Sequence, residues 1–284
     1  WWSLHSQDYK ENYKKEYLGI NIQDMNDQHF LDYLKNLDNS FYKKAYFAQF
    51  KGESLFNNLI TKQNLKNLKV LEIGCGLGSH CEVLARRGAQ VYSIDLSQTS
   101  VDFTKRRLSL QGLEADVRQA DCENIPFEDN FFDYIWSWGV IHHTPNTNLA
   151  AEEIQRVLKK GGELGIMVYH NNSLYKLLNV YLRYGIFQLK FFQGYSKQDL
   201  KNKFTDGKEI GGAPLSKYLS KNEFIKLFPK LKMTEICCYE QKNFFSFWVP
   251  KKYKNKFETL IPDKLFTLIF KNLGFLMFGK FLKK

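Results

Sequence analysis

Val70, Leu71, Glu72 and Ile73 are followed by glycines at 74, 76 and 78. The apolar residues read as a short buried strand, and the glycines let its end turn sharply into a helix that begins near Ser79. A side chain at those points would block either the turn or the close approach of a ligand to the backbone. An ordinary strand-to-helix turn has the same look, so the residues downstream decide. Asp95 ends a second strand, AQVYSIDLS, close to the roughly 20 residues beyond the loop at which a strand-tip carboxylate grips the two hydroxyls of a ribose. Asp121, just after a third strand in ADVRQADCENIPF, can accept a hydrogen bond from an adenine amino group while the backbone near Cys122 meets the ring edge. Capping a turn or helix is the alternative role for that Asp. His142 and His143 follow a fourth strand, Phe132–Ser137, and Tyr169 and His170 end a fifth. Histidine suits proton transfer because its unperturbed pKa lies near 6.5, although each of these histidines could equally cap a helix or bond within a rim.

Positioning such groups takes alternating strands and helices. Helices are expected from about Ser79 to Arg87, capped by Gly88, and from about Thr99 to Leu110 before Gly112. EEIQRVLKKGGELGIMVYH reads as a helix, a Lys-Lys-Gly-Gly turn and the fifth strand. The chain of 284 residues is long enough for one large α/β domain with insertions. Aromatic residues make up 16% of it, which suggests apolar cavities or an aromatic surface. Five cysteines without CxxC spacing read as free thiols in a reducing compartment, and no metal is expected.

The ordered set EIGCGLG, SIDLS, ADCENIPF, FDYIWSWGVIHH and RVLKKGG resembles the class I S-adenosylmethionine-dependent methyltransferases. Within them it is most like the methyltransferase type 11 branch, which includes quinone-ring and small-molecule enzymes. The resemblance spans about residues 68 to 170. It implies a doubly wound, Rossmann-like α/β sheet of seven strands with the last antiparallel, and S-adenosylmethionine as cofactor. Glu72, Gly74, Cys75, Gly76 and Gly78 would surround its methionine part, Asp95 would hold the ribose with Leu96 on the adenine, and Asp121 and Cys122 would read the adenine edge. Ser137 and Trp138 would sit beside the sulfonium, with His142, His143, Tyr169 and His170 as candidate bases. Lys160 stands where the family's turn commonly has Pro. A nicotinamide site is disfavoured because GxGxxG would need glycine at Ser79. The Asn/Asp-Pro-Pro-Tyr/Phe motif of amino-purine methyltransferases and a Pro-Cys nucleophile are both missing, and Ser137 replaces the strand-end acid of metal-dependent catechol enzymes.

The expected division is a helical N-terminal arm (1–60), a cofactor-binding core (61–170), a cap or lid insertion (171–231), and the last two strands with a second insertion (232–284). Trp1, Trp2, His5 and Tyr9 could line a substrate pocket or simply pack. The start at Trp1 suggests that an upstream piece is missing. The net charge of +11 is concentrated late, for residues 171–284 hold 22 Lys+Arg against 8 Asp+Glu. That excess favours anionic partners or merely a solvated surface. Phe257, Leu260, Ile261, Leu265, Phe266 and Ile269 approximate one apolar helix face near lysines. An interfacial membrane helix and a lid helix packed over the site both fit that pattern. The expected activity is methyl transfer to O, N or C of a small or lipid-like acceptor in the cytoplasm, with an anionic acceptor and peripheral membrane contact as options. Methylation of tRNA or protein, and a non-catalytic cofactor-binding scaffold, are the alternatives.

Overall fold

The computed structural model describes residues 24–44, 59–60, 65–206, 211–240 and 261–284. Trp1, Trp2, His5, Tyr9, Phe257 and Leu260 lie outside these residues. In chain order the elements are α1 (Asp27–Lys44), β1 (Lys69–Ile73), α2 (Ser79–Arg86), β2 (Gln90–Asp95), α3 (Gln98–Leu110), β3 (Asp116–Gln119) and β4 (Phe132–Trp138). There follow α4 (Thr147–Val157), β5 (Leu158–Tyr169), α5 (Lys197–Phe204), α6 (Lys221–Lys226), β6 (Leu231–Tyr239), α7 (Asp263–Leu273) and β7 (Leu276–Lys283). Between β5 and α5, Lys176–Phe187 forms a wide-turn π-helix.

The seven strands form one sheet in the order β3-β2-β1-β4-β5-β7-β6. β1 to β5 run parallel, and β7 lies antiparallel between β5 and β6. This is the doubly wound, Rossmann-like class expected from the sequence. The central strands read as near-continuous apolar runs because helices cover both faces; Val70, Leu71, Ile73, Ile135 and Trp136 are buried. The strand order reverses where β1 meets both β2 and β4, and a crevice opens there beyond the carboxyl ends of the strands.

The Lys-Lys-Gly-Gly turn is absorbed into β5 as an irregularity. Phe132 pairs with Leu158 but Tyr134 pairs with Glu163, so the intervening residues bulge out, with Gly161 at φ 74°. Ser220 and Glu223 form the capping box read from the sequence at the start of α6, and Ser196 and Asp199 form another at α5. The expected apolar stripe on α7 is redistributed. Phe266 and Phe270 are buried against Leu174, Tyr175 and Leu178 of the cap, whereas Leu265 and Ile269 face outward. The helix is apolar on more than one side, so a single-face reading could not hold.

Candidate active site

The glycine loop is fixed from beneath and from the side. Gly74 has φ 83°, and a Cβ on it would lie 2.2 Å from Val140 Cγ2, so only glycine lets the loop after β1 pass the segment after β4. Gly76 also has positive φ, but no atom lies within 4 Å of its would-be Cβ. Its backbone faces open space. The Gly76 N–H donates to Asp95 Oδ2 (3.0 Å), and the Ser97 N–H donates to Oδ1 (2.9 Å). Burial pushes the Asp95 carboxyl above its ordinary range, while these two backbone donors pull it back. Each carboxylate oxygen keeps acceptor capacity for a further donor.

Around this loop and acid lies a cleft of about 220 Å³. It is lined by Gly74, Gly76, Asp95, Leu96, Asp121, Cys122 and Trp138 among the cofactor candidates, and by His143 among the bases. Leu96 is 57% exposed, an apolar side chain left as a platform at the cleft edge. Asp121 is exposed and accepts from the Glu123 N–H (2.9 Å), so it caps a turn while facing the cleft. Cys122 is buried, and burial pushes its thiol up to about 12, which leaves a wall rather than a nucleophile.

The other candidates are placed elsewhere. Cys75 and Gly78 support the loop without lining the cleft, Cys75 in the core and Gly78 against Thr104 and Arg107. Ser137 is fully buried, and its hydroxyl has no hydrogen-bond partner among the described residues. His142 is fully buried with neither ring nitrogen partnered among the described residues. Its ring lies 3.9 Å from that of Tyr169, and burial holds it neutral. His170 is turned into the packing between β5 and the α7–β7 corner, with Nδ1 3.1 Å from the Gly274 carbonyl. Tyr169 is buried, and its hydroxyl donates to Asp206 (2.5 Å).

Glu72 lies beneath the loop. The Ser93 hydroxyl donates to it (3.2 Å), and His80 Nδ1 is 3.7 Å away. Burial pushes the Glu72 carboxyl up to about 8 and drives His80 down to about 3. His80 Nδ1 also accepts the Trp136 indole N–H (3.0 Å). A neutral imidazole and a protonated Glu72 therefore form an uncharged cluster under the glycines near pH 7.

Two residues that the sequence reading did not single out are central. Arg107 on α3 is buried, pairs with Asp38 of α1, donates to Glu82 (2.7 Å) and reaches the Leu77 carbonyl (3.3 Å). It ties the N-terminal helix to the glycine loop. Asp206, just after α5, meets both Tyr169 and His143. An isolated Arg or Asp gives no local signal for such partners, which come from distant parts of the chain.

S-adenosylmethionine, the donor of the family that the sequence resembles, fits these residues. The space over Gly76 is open, the Asp95 oxygens retain lone pairs at the cleft, and Leu96 offers an apolar face. Comparison with known proteins agrees. A family model described as a methyltransferase domain matches residues 71–166. The ubiquinone biosynthesis O-methyltransferase of Bartonella tribocorum is 38% identical over 96 residues, 34% of this chain and 39% of that protein. The fatty-acid O-methyltransferase of Mycolicibacterium smegmatis is 33% identical over 110 residues, 38% of this chain and 39% of the relative. The match therefore spans about two-fifths of these relatives' length. A solved S-adenosylmethionine-dependent methyltransferase from Methanosarcina mazei shares the fold, with TM-score 0.55, 17% identity and coverage of 79% of this chain and 96% of that one.

The fold is that of the solved methyltransferase, and the stretch that resembles the methyltransferase-domain family, residues 71–166, is the one that carries the glycine loop, Asp95, Asp121 and Trp138 of the cleft.

Proposed function

We propose that this protein transfers the methyl group of S-adenosylmethionine to a small or lipid-like acceptor. The observation that carries the reading is the convergence of Gly76, Asp95, Leu96 and Asp121 with Trp138 and His143 around one cleft. In this reading Asp95 holds the ribose, Leu96 and Cys122 flank the adenine, Asp121 reads its edge, and His143 stands at the acceptor end. The bound donor supplies an already activated methyl group, so the protein's work is alignment and exclusion of water. His143 accepts a proton where the acceptor carries one.

Lipid-like acceptors are favoured because relatives are named for ubiquinone biosynthesis, fatty acids and, in Caenorhabditis elegans, sterols. A property of this chain points the same way. Among the described residues, most of the exposed large apolar side chains lie between residues 177 and 192 or on α7, with Phe192 82% and Leu268 71% exposed. Lys190, Lys264 and Lys271 lie beside them, and Lys176–Phe187 contains no acidic residue. Such a face suits peripheral contact with an anionic lipid surface. No helix among the described residues is long and apolar enough to cross a membrane.

The test incubates the protein with methyl-labelled S-adenosylmethionine and, separately, a quinol- and lipid-rich extract, tRNA, and a protein extract. Label in the lipid fraction is the expected result. Label in tRNA or protein would replace the acceptor class, and cofactor binding with no labelled product would favour a scaffold. Flotation with anionic vesicles at low salt tests the surface, and absence of binding removes it.

A further inference from the structure

We propose that a second cleft, between the turn that follows the π-helix and α5, binds the phosphate head group of an anionic phospholipid. The inference rests on the membrane contact proposed above and gives it a defined site. The cleft has a volume of about 410 Å³ and shares no lining residue with the donor cleft. Gln193, Gly194, Tyr195, Asp199, Asn202 and Lys203 are among its walls. Two ammoniums converge there on one ring, with Lys203 Nζ 4.9 Å and Lys190 Nζ 5.3 Å from the centre of the Tyr195 ring. Among the described residues their hydrogen bonds go to neutral groups and neither is ion-paired. Lys203 donates to the Tyr195 hydroxyl (3.1 Å) and Lys190 to Gln193 Oε1 (2.9 Å). Each ammonium keeps further N–H groups for a ligand, and the Tyr195 oxygen, already accepting from Lys203, keeps its own proton to donate. The bond from Lys203, and after it the Lys203 charge, pulls the phenol below its ordinary range, which makes that proton a stronger donor to an anion.

Asp199 also lines the cleft, but its Oδ2 accepts both the N–H (2.9 Å) and the hydroxyl (2.6 Å) of Ser196 and so closes the first turn of α5. Residues 190–203 hold four lysines against this one acid, so the cleft stays positive. At Gly194, with φ 85°, no atom lies within 4 Å of a would-be Cβ, and the backbone is open to a head group. A soluble phosphate would use these donors alone. A phospholipid also uses what flanks them. Phe187, Leu189 and Phe192 are exposed immediately before the cleft residues. Leu189 has φ 57°, a left-handed conformation that a bulky side chain adopts only at a cost, and its side chain still faces solvent. Acyl chains against these three side chains cover that apolar area while the phosphate meets Lys203, Lys190 and Tyr195.

The test is flotation of the full chain at low salt with phosphatidylcholine vesicles, with and without phosphatidylglycerol, repeated for Tyr195→Phe, Lys203→Gln and Lys271→Gln. The wild type should bind only the vesicles that contain phosphatidylglycerol. Tyr195→Phe keeps the charge and the ring but removes a donor, and should weaken binding by about 10-fold. Lys203→Gln should weaken it by about 10- to 100-fold, and Lys271→Gln, which removes the same charge from α7, by about fivefold or less. Full affinity in Tyr195→Phe, or equal losses in Lys203→Gln and Lys271→Gln, would overturn the site and leave a diffuse basic surface. None of the three side chains is buried, and unchanged urea midpoints show that the variants are folded; if one midpoint shifts, the other cleft variant decides. Glycerol phosphate is added as a competitor. Retention on the vesicles supports the lipid, whereas release at a concentration no higher than that of the exposed phosphatidylglycerol would assign the cleft to a soluble phosphate and overturn the lipid assignment. No flotation of the wild type would instead overturn the membrane contact itself.

Discussion

The core and the cap solve different problems with different materials. In the core, the polar groups that brace the glycine loop are partnered: Glu72 with Ser93, Asp95 with two backbone N–H groups, and Arg107 with Asp38 and Glu82. In the cap, taken as the segment around Lys176–Phe187 together with α7 that packs on it, large apolar side chains stay exposed beside lysines. A site for one fixed ligand rewards preorganisation, and each polar atom then needs its partner. A surface that meets varied or fluid partners rewards exposed apolar area instead. The difference teaches that donor binding should be sensitive to single polar changes in the core, while the cap should tolerate substitution without loss of stability.

The largest test of that contrast is Arg107→Ala. It leaves Asp38 without its cation and Glu82 with Arg86 alone, around a buried site, and we expect a loss of about 3 kcal/mol in urea unfolding. A loss under 1 kcal/mol would show that the core's polar network is not what holds the loop.

Next comes the pH dependence of the cluster beneath the glycines. The folded state keeps the Glu72 proton up to about pH 8, against an ordinary value of 4.5, so unfolding releases a proton between those limits. Stability therefore falls as pH rises through that window. His80, driven down to about 3 from 6.5, acts in the opposite sense and costs stability as pH falls from 6.5 toward 3. Glu72→Gln should remove the alkaline slope, with an upper bound of about 3 kcal/mol at pH 7. Unfolding curves at pH 5 and pH 8 check this, and parallel slopes in variant and wild type would refute the neutral cluster.

A smaller effect is expected at the loop itself. Gly74→Ala combines positive φ with contact against Val140 and should cost about 1–3 kcal/mol. Val140→Ala in the same chain should recover part of it, because the clash is with that side chain; no recovery would leave backbone strain as the whole cause. The smallest effect belongs to the cap. Leu265→Asp with Leu268→Asp should change stability by only about 0.5 kcal/mol or less, since both side chains are exposed, yet abolish flotation with anionic vesicles. Stability loss comparable to that of Arg107→Ala would erase the distinction between the two regions.

The same distinction explains what could be read from the sequence. The sheet and the gathering of the glycine loop, Asp95 and Asp121 at one cleft were legible because their spacing places them at the carboxyl ends of adjacent strands. His142 and His143 were not separable, because a single short turn sends one ring into the core and the other to the cleft. Arg107, Val140 and Asp206 gave no sign of their roles, which exist only once distant segments meet. The stripe including Leu265, Phe266 and Ile269 misled because α7 is apolar on its buried and its outward sides alike.

The most direct test of the central claim is calorimetry of S-adenosylmethionine binding to the wild type and to Asp95→Ala. The wild type is expected to bind at a single site, and the variant to lose roughly 10- to 100-fold in affinity, as removal of a charged hydrogen-bonding group implies. No binding by the wild type, or equal affinity in the two proteins, would contradict the account.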